Sequence, residues 1–329
     1  MNSNNPSYQK ADAVFFGVSM DLTCSYNKGT AKAPGEILKA LGQIEFEPSL
    51  SAEQLNDLIE IYSEGIIQAG KVKGRKAVEA EVEKVLKEIE LVSEKAVKNN
   101  KFFFCFGGEH LVSLGAVRGI AKIIEPKETT IISLDAHCDL KNSFDGLQLS
   151  HASWLNKATK LRFNSLLIGV RDNISFEEQD FIKENNLQKG IFPCNLQPKK
   201  FYSDEKFGKG KCDWLLKENF IFDSGVDKKV LGKILSEIKT KNVFISIDVD
   251  VLGYGVLTGT PSPMGMNART LQELLFEIVS FCKSRKKRLL GFDIVESIPD
   301  KENAWTQSLC AVFSMNLLYW QFGALNPKN

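Results

Sequence analysis

Residues 129–139 read TTIISLDAHCD, an apolar run that ends in two aspartates flanking a histidine. Both alternating sides of the run are largely apolar. That is the pattern of a strand covered on two faces, as in a parallel sheet between helices. AVFFGV (13–18), FFFCFG (102–107), SLLIGV (165–170), NVFISID (242–248) and RLLGFDIV (288–295) share this character, and GIFPC (190–194) is a weaker case. Segments with helical spacing lie between them. The clearest is 77–100, where Val78, Val82, Val85, Leu86, Ile89 and Val92 fall on one face. Residues 226–240, 270–284 and 305–322 also read as helices. Strands alternating with helices predict an α/β fold with a doubly wound parallel sheet. No internal repeat or low-complexity linker divides the chain, so one domain over 1–329 is expected. Asn195–Asp223 is mixed and aromatic and suggests no element.

The bulk numbers agree with this reading and exclude others. The chain has 329 residues, 43% hydrophobic and 25% charged, an ordinary globular composition. Its formal net charge is +1, with no basic stripe for nucleic acid. The short basic clusters Lys206–Lys211 and Lys283–Lys287 read as solvated faces. Seven cysteines (24, 105, 138, 194, 212, 282 and 310) are odd in number and scattered, without a CxxC pair. That argues against a disulfide framework and for a reducing, cytoplasmic location. MNSNNPSYQKADAV lacks the basic start and apolar run of a signal peptide. No apolar stretch approaches the roughly 20 residues a membrane helix needs.

In such a sheet, ligands bind beyond the carboxyl ends of the strands. Four apolar runs end in polar residues there: Glu109 and His110; Asp135, His137 and Asp139; Asp248 and Asp250; and Glu296. Residues i, i+2 and i+4 of a strand share one face, so Asp135, His137 and Asp139 are expected to converge, with Ala136 and Cys138 turned away. Asp248 and Asp250 align by the same spacing. With His110, this brings four carboxylates and two imidazoles together. Buried carboxylates at that density repel, and two divalent cations would neutralise them. Mixed carboxylate and imidazole ligands suit Mn²⁺, and also Fe²⁺, Co²⁺ or Zn²⁺. Two such ions acidify a shared water. A lone HxD would be weak and a single strand-terminal Asp would read as a turn residue; the combination carries the inference. Cys138 reads as a core cysteine. His151, in LSHASW, would be unremarked alone. Near a metal pair it becomes a candidate proton shuttle. Glu296 could grip a planar cation through two parallel hydrogen bonds, or serve as a cap.

GGEH (107–110), SLDAHCDL (133–140), SIDVD (246–250), TGTPSP (258–263) and GFDIVESIP (291–299) resemble, in order and spacing, the ureohydrolase family of arginase, agmatinase and formiminoglutamase. FFGVSMDLTCSYNKGTAKAPGEILKAL and LLIGVRD fit the same pattern, and the resemblance runs from about Val14 to Ala324. It implies a three-layer α/β/α sandwich around a mainly parallel sheet, with two Mn²⁺ per chain. One ion would be held by His110, Asp135, Asp139 and Asp248. The other would be held by Asp135, His137, Asp248 and Asp250, with Asp135 and Asp248 bridging. Glu296 would orient a guanidinium group, and His151 would pass a proton to the leaving amine, giving urea and an amine. The family also implies a trimer or hexamer.

GGEH and SHASW look most like the agmatinase branch, which turns agmatine into urea and putrescine, a polyamine precursor. The loop LKNSFDGLQL lacks the arginase-type Asn and Ser for an α-carboxylate at the expected spacing, since Asn142 and Ser143 come too early. Formiminoglutamases usually lack the histidine at position 151. Asp21 and Asp145 are candidates for binding a cationic substrate tail, or are turn residues. Three positions depart from the family pattern: Gly253–Tyr254 where Asp–Pro is usual, Ser262 where an acid is usual, and Ala152 where Gly is common. The alternatives are another guanidino-acid hydrolase, an arginase, a formiminoglutamase, or a metal-binding homologue without turnover. The last would need neither His151 nor Glu296.

Overall fold

The computed structural model describes residues 6–43, 58–194, 221 and 225–323. Its centre is a sheet of eight strands, all parallel: β1 (Ala13–Ser19), β2 (Ile61–Gln68), β3 (Phe102–Phe106), β4 (Thr129–Leu134), β5 (Asn164–Ile168), β6 (Ile191–Phe192), β7 (Asn242–Asp248) and β8 (Arg288–Val295). Their order is β2-β1-β3-β8-β7-β4-β5-β6.

The apolar runs become strands because both faces have partners. Along β3, Phe102, Phe104 and Phe106 join one core with Phe15 and Phe292, while Phe103 and Cys105 join another with Phe16 and Phe244. Phe104 stacks on Phe292 at 5.4 Å, and Phe103 on Phe244 at 5.5 Å. The first core is closed by α1 (Ala33–Leu41), α6 (Lys228–Glu237), α7 (Ala268–Ser284) and α8 (Trp305–Phe322). The second is closed by α2 (Arg75–Lys98), α3 (Val112–Ile123), α4 (Trp154–Lys160) and α5 (Phe176–Glu184). The result is the three-layer α/β/α sandwich. No helix among the described residues is long and apolar enough to cross a membrane.

The predicted strands and helices are present with small shifts at their ends. The helix expected over 226–240 is shortened to Lys228–Glu237, with Asp227 capping it through the N–H groups of Lys229 and Val230. β2 was not anticipated; it is a partly exposed edge strand. The Lys283–Lys287 cluster is not simply a solvated face. Lys283 Nζ donates to the carbonyls of Trp320, Gln321 and Gly323, neutralising the carboxyl end of α8, and Lys287 Nζ donates to Thr240 O. Apart from Ile221, Asn195–Asp223 lies outside the described residues, and with it Lys206–Lys211 and Cys212.

Candidate metal centre

The acidic and imidazole residues gather at the carboxyl edge of β3, β4, β7 and β8, but not by strand alternation. β4 ends at Leu134, and residues 135–140 form a loop in which Asp139 has φ 50°. β7 ends at Asp248, and Asp250 lies in a short 3-10 turn, Val249–Val251. Two loops, rather than one pleated face, bring these side chains inward.

Each central carboxylate has one oxygen tied to backbone. Asp135 Oδ1 accepts from His137 N at 2.6 Å, Asp250 Oδ1 from Ala136 N at 3.1 Å, and Asp248 Oδ1 from Asp250 N at 2.8 Å. The second oxygens point to the middle. Asp135 Oδ2, Asp139 Oδ2 and Asp248 Oδ2 lie 3.1, 3.1 and 3.2 Å from His110 Nδ1. One N–H cannot donate to three acceptors, and His110 Nδ1, Asp135 Oδ2 and Asp250 Oδ2 are buried without a hydrogen-bond partner. Donor atoms sharing an octahedral cation at about 2.1 Å lie about 3 Å apart, which is this spacing.

The ligand atoms fall into two groups, each within 4.8 Å: His110, Asp135 and Asp248, and Asp135, His137 and Asp250. Asp135 belongs to both. Asp139 approaches the first group through His110. Asp248 is found with the first group only, its other oxygen being engaged by the Asp250 N–H. In the second group His137 Nδ1 lies 2.9 Å from Asp250 Oδ2. Cys138 takes no part and is packed in the second core. Hard carboxylate oxygens with two imidazoles, all but His137 buried, fit a pair of divalent cations.

The electrostatics agree. Burial raises Asp248 well above the usual carboxylate range, helped by the charges of Asp250 and Asp135. Burial, with the charge of Asp135, raises Asp139 to about 6. Asp135 is held low by His110 and His137 against the effect of burial. Both imidazoles are drawn toward the protonated form by the surrounding carboxylates, against burial. A bound cation would replace those protons as the positive partner.

Further groups hold the imidazoles. His110 Nε2 meets Ser246 Oγ at 2.9 Å, and Ser246 donates to Asp293 Oδ1 at 2.6 Å. Trp154 packs on His110, ring centres 4.6 Å apart. His137 Nε2 lies 3.1 Å from Asp172 Oδ2. The neighbouring Arg171 ties the loop behind Asp250 to the TGTPSP loop, donating to Asp250 O, Ser262 O and Pro263 O. Asp172→Asn is expected to weaken one of two ions by about 10–100-fold, the usual cost of losing an outer carboxylate on a metal-binding histidine. Calorimetric Mn²⁺ titration checks this; two unchanged binding steps would contradict it.

Sequence reading missed Asp172, Ser246, Asp293 and Arg171. A signal existed for two of them. Asp293 is a charge inside an apolar run, and Ser246 stands two residues before Asp248 on the same strand face.

Glu296 follows β8 at φ 60°. Its Oε1 accepts from His110 N at 2.8 Å, and Oε2 faces Gly259, where a Cβ would collide with it. Burial raises it to about 8, with the Glu109 charge adding to the effect. Gly108 is required by a close approach, since a Cβ there would strike the Met20 carbonyl. His151 is buried beside the opening loop. Its N–H donates to Thr23 Oγ1 at 3.0 Å, and burial lowers its ring to about 4, keeping it neutral at pH 7. Asp21 closes that loop by accepting from Gly29 N at 2.9 Å. Asp145 is exposed at a turn with φ 48°, and its carbonyl accepts from Arg75. Of the departures, Tyr254 is exposed, Ser262 is engaged through its carbonyl, and Ala152 is buried.

A single parallel sheet between two helical layers, with carboxylates and imidazoles clustered at its carboxyl edge, is the architecture of the metal-dependent ureohydrolases. The chain belongs to the arginase family, whose model matches residues 11–192 and 211–319. It is 27% identical over 302 residues to the agmatinase of Bacillus subtilis (strain 168), covering 90% of this chain and 87% of that one. It is 27% identical over 321 residues to the N(1)-aminopropylagmatine ureohydrolase of Thermococcus kodakarensis, covering 96% and 92%. Among solved structures, the agmatine ureohydrolase of Thermoplasma volcanium superposes with a TM-score of 0.67 at 24% identity, covering 96% and 92%. The arginase of Bacillus caldovelox gives 0.68 at 20%, covering 96% and 99%.

Proposed function

We propose that this protein hydrolyses a guanidino compound to urea and an amine with two Mn²⁺ ions, and that agmatine is its preferred substrate. The observation that carries the reading is the pair of acid–imidazole groups sharing Asp135, with buried Glu296 bonded to the backbone of His110. The ions would be held by His110, Asp135, Asp139 and Asp248, and by Asp135, His137, Asp248 and Asp250. When bound they supply an acidified water as nucleophile.

The protein's own groups do the rest. The Glu296 carboxyl, which nearby cations and the guanidinium itself would keep ionised against the effect of burial, holds the planar guanidinium and presents its carbon. His151, neutral before reaction, takes up a proton and delivers it to the departing amine nitrogen as the carbon–nitrogen bond breaks. The low-dielectric surroundings of both groups strengthen these interactions.

The tail preference rests on what the mouth lacks. Asn142, the nearest match to an arginase-type carboxylate reader, is exposed and held against α4, its Oδ1 accepting from Lys160 Nζ at 2.8 Å and its carbonyl from Lys157 Nζ. An α-carboxylate left without partners would cost about 1–3 kcal/mol, roughly ten- to hundredfold per contact. Asp21 and Asp145 are proposed to favour a cationic amine tail. Relatives named agmatinase and aminopropylagmatine ureohydrolase support the same choice. A second reading, an anionic guanidino acid, is favoured by Lys141. Its Nζ lies over the Phe144 ring at 4.2 Å, and its charge reaches His151. Side-by-side urea release on Mn²⁺-loaded protein is expected to give higher kcat/KM for agmatine than for arginine or a guanidino acid. A clear preference for either competitor would overturn the substrate and leave the chemistry intact. We also propose a homo-oligomer, trimer or hexamer, one domain over 1–329, and a cytoplasmic location.

A further inference from the structure

Thr23 lies in the opening loop and is buried, as is Glu109, which precedes His110. Glu109 Oε2 accepts two hydrogen bonds from Thr23, from its backbone N at 2.8 Å and from its hydroxyl at 2.8 Å. The single hydroxyl proton of Thr23 is therefore committed to Glu109. Thr23 Oγ1 itself accepts from the His151 backbone N–H at 3.0 Å and faces His151 Nδ1 at 3.4 Å. A hydroxyl has one donor and two acceptor lone pairs. With the donor spent and one lone pair filled, the remaining lone pair can only receive a proton. An unprotonated Nδ1 would set two lone pairs against each other; a protonated Nδ1 completes the set. On the far side of the ring, Ser25 Oγ lies 3.4 Å from Nε2 and its hydroxyl is able to donate there. The Phe144 ring meets the imidazole edge to face at 5.5 Å, limiting its rotation.

We propose that Thr23 is a positioning residue that fixes His151 in the tautomer protonated at Nδ1, so that Nε2 offers its lone pair. The catalytic consequence rests on His151 as the proton carrier. Nε2 then takes up the proton in transit and gives it to the leaving amine, while Nδ1–H stays bound to Thr23. An imidazole in the other tautomer would be blocked at the atom that must accept.

The test reads the ring directly. Zn²⁺-loaded protein is diamagnetic, and only three histidines need resolving. Imidazole ¹⁵N spectra, assigned against His151→Asn, are expected to show His151 protonated at Nδ1 and unprotonated at Nε2. Thr23→Val keeps the backbone bond to Glu109 and the side-chain shape but removes the hydroxyl. It is expected to shift His151 toward the Nε2–H form and lower kcat about tenfold or more with little change in KM. Thr23→Ser is expected to restore both. An Nε2–H ring in the unmodified protein, or an unchanged tautomer in Thr23→Val, would overturn the proposal. A tautomer shift with unchanged kcat would uphold the control of the ring and instead remove His151 from proton transfer.

Discussion

Asp135→Ala is expected to leave the protein, loaded with Mn²⁺ and desalted, far below two ions per chain, with urea release lost. Asp135 contributes to both ligand groups, so its removal opens both at once. The loss in affinity should exceed the roughly 10–100-fold of an outer-shell change, because a direct ligand is gone. Asp248→Ala makes the informative contrast. Its Oδ2 serves the first group, and its Oδ1 holds the N–H of Asp250, a member of the second. It should strike the first ion hardest and the second through loosening of Asp250, or both equally if Asp248 bridges on loading. Elemental analysis with titration of each ion gives the answer. An Asp135→Ala protein that keeps two ions at unchanged affinity would rule out Asp135 as the shared ligand.

His151→Asn should behave in the opposite way. Metal content should stay intact, because His151 belongs to neither ligand group and is held by Thr23 and Ser25 instead. Turnover should fall by about 10²-fold or more, the usual size of a general acid–base contribution. Asn keeps a polar side chain of similar reach but cannot carry a proton at neutral pH. The loss should therefore appear in kcat, with KM nearly unchanged. An unchanged rate would return His151 to a packing role.

The sequence exposed those parts of the fold where burial is symmetrical. The apolar runs of β3, β4, β7 and β8 stand out because helices cover both faces, and the one charge in their interiors, Asp293, is met by the Ser246 hydroxyl. β2 carries Ser63, Glu64 and Gly65 and lies at the sheet edge, so its pattern resembles a loop. In the site, the acidic and imidazole residues were legible because each ends an apolar run. The reason they converge was not: a left-handed backbone at Asp139 and a 3-10 turn through Asp250 orient side chains that strand alternation would have aimed differently. Thr23 was hidden for another reason. Its function depends on Glu109, 86 residues away, and on His151, 128 away, and a hydroxyl has no composition signal.

The place of β8 in the sheet carries a consequence for assembly. It is the last described strand along the chain, yet it lies between β3 and β7. Without it the sheet is two pieces, β2-β1-β3 and β7-β4-β5-β6, each with an open inner edge able to pair wrongly. His110 follows a strand of the first piece, while His137 and the four aspartates end or follow strands of the second. A nascent chain that has not yet produced residues 288–295 thus holds His110 on one body and His137 with the carboxylates on the other. The insertion of one late strand, a pairing of long sequence separation and slow by nature, is the event that joins His110 to the group it shares with Asp135 and Asp248 and brings Glu296 to the centre.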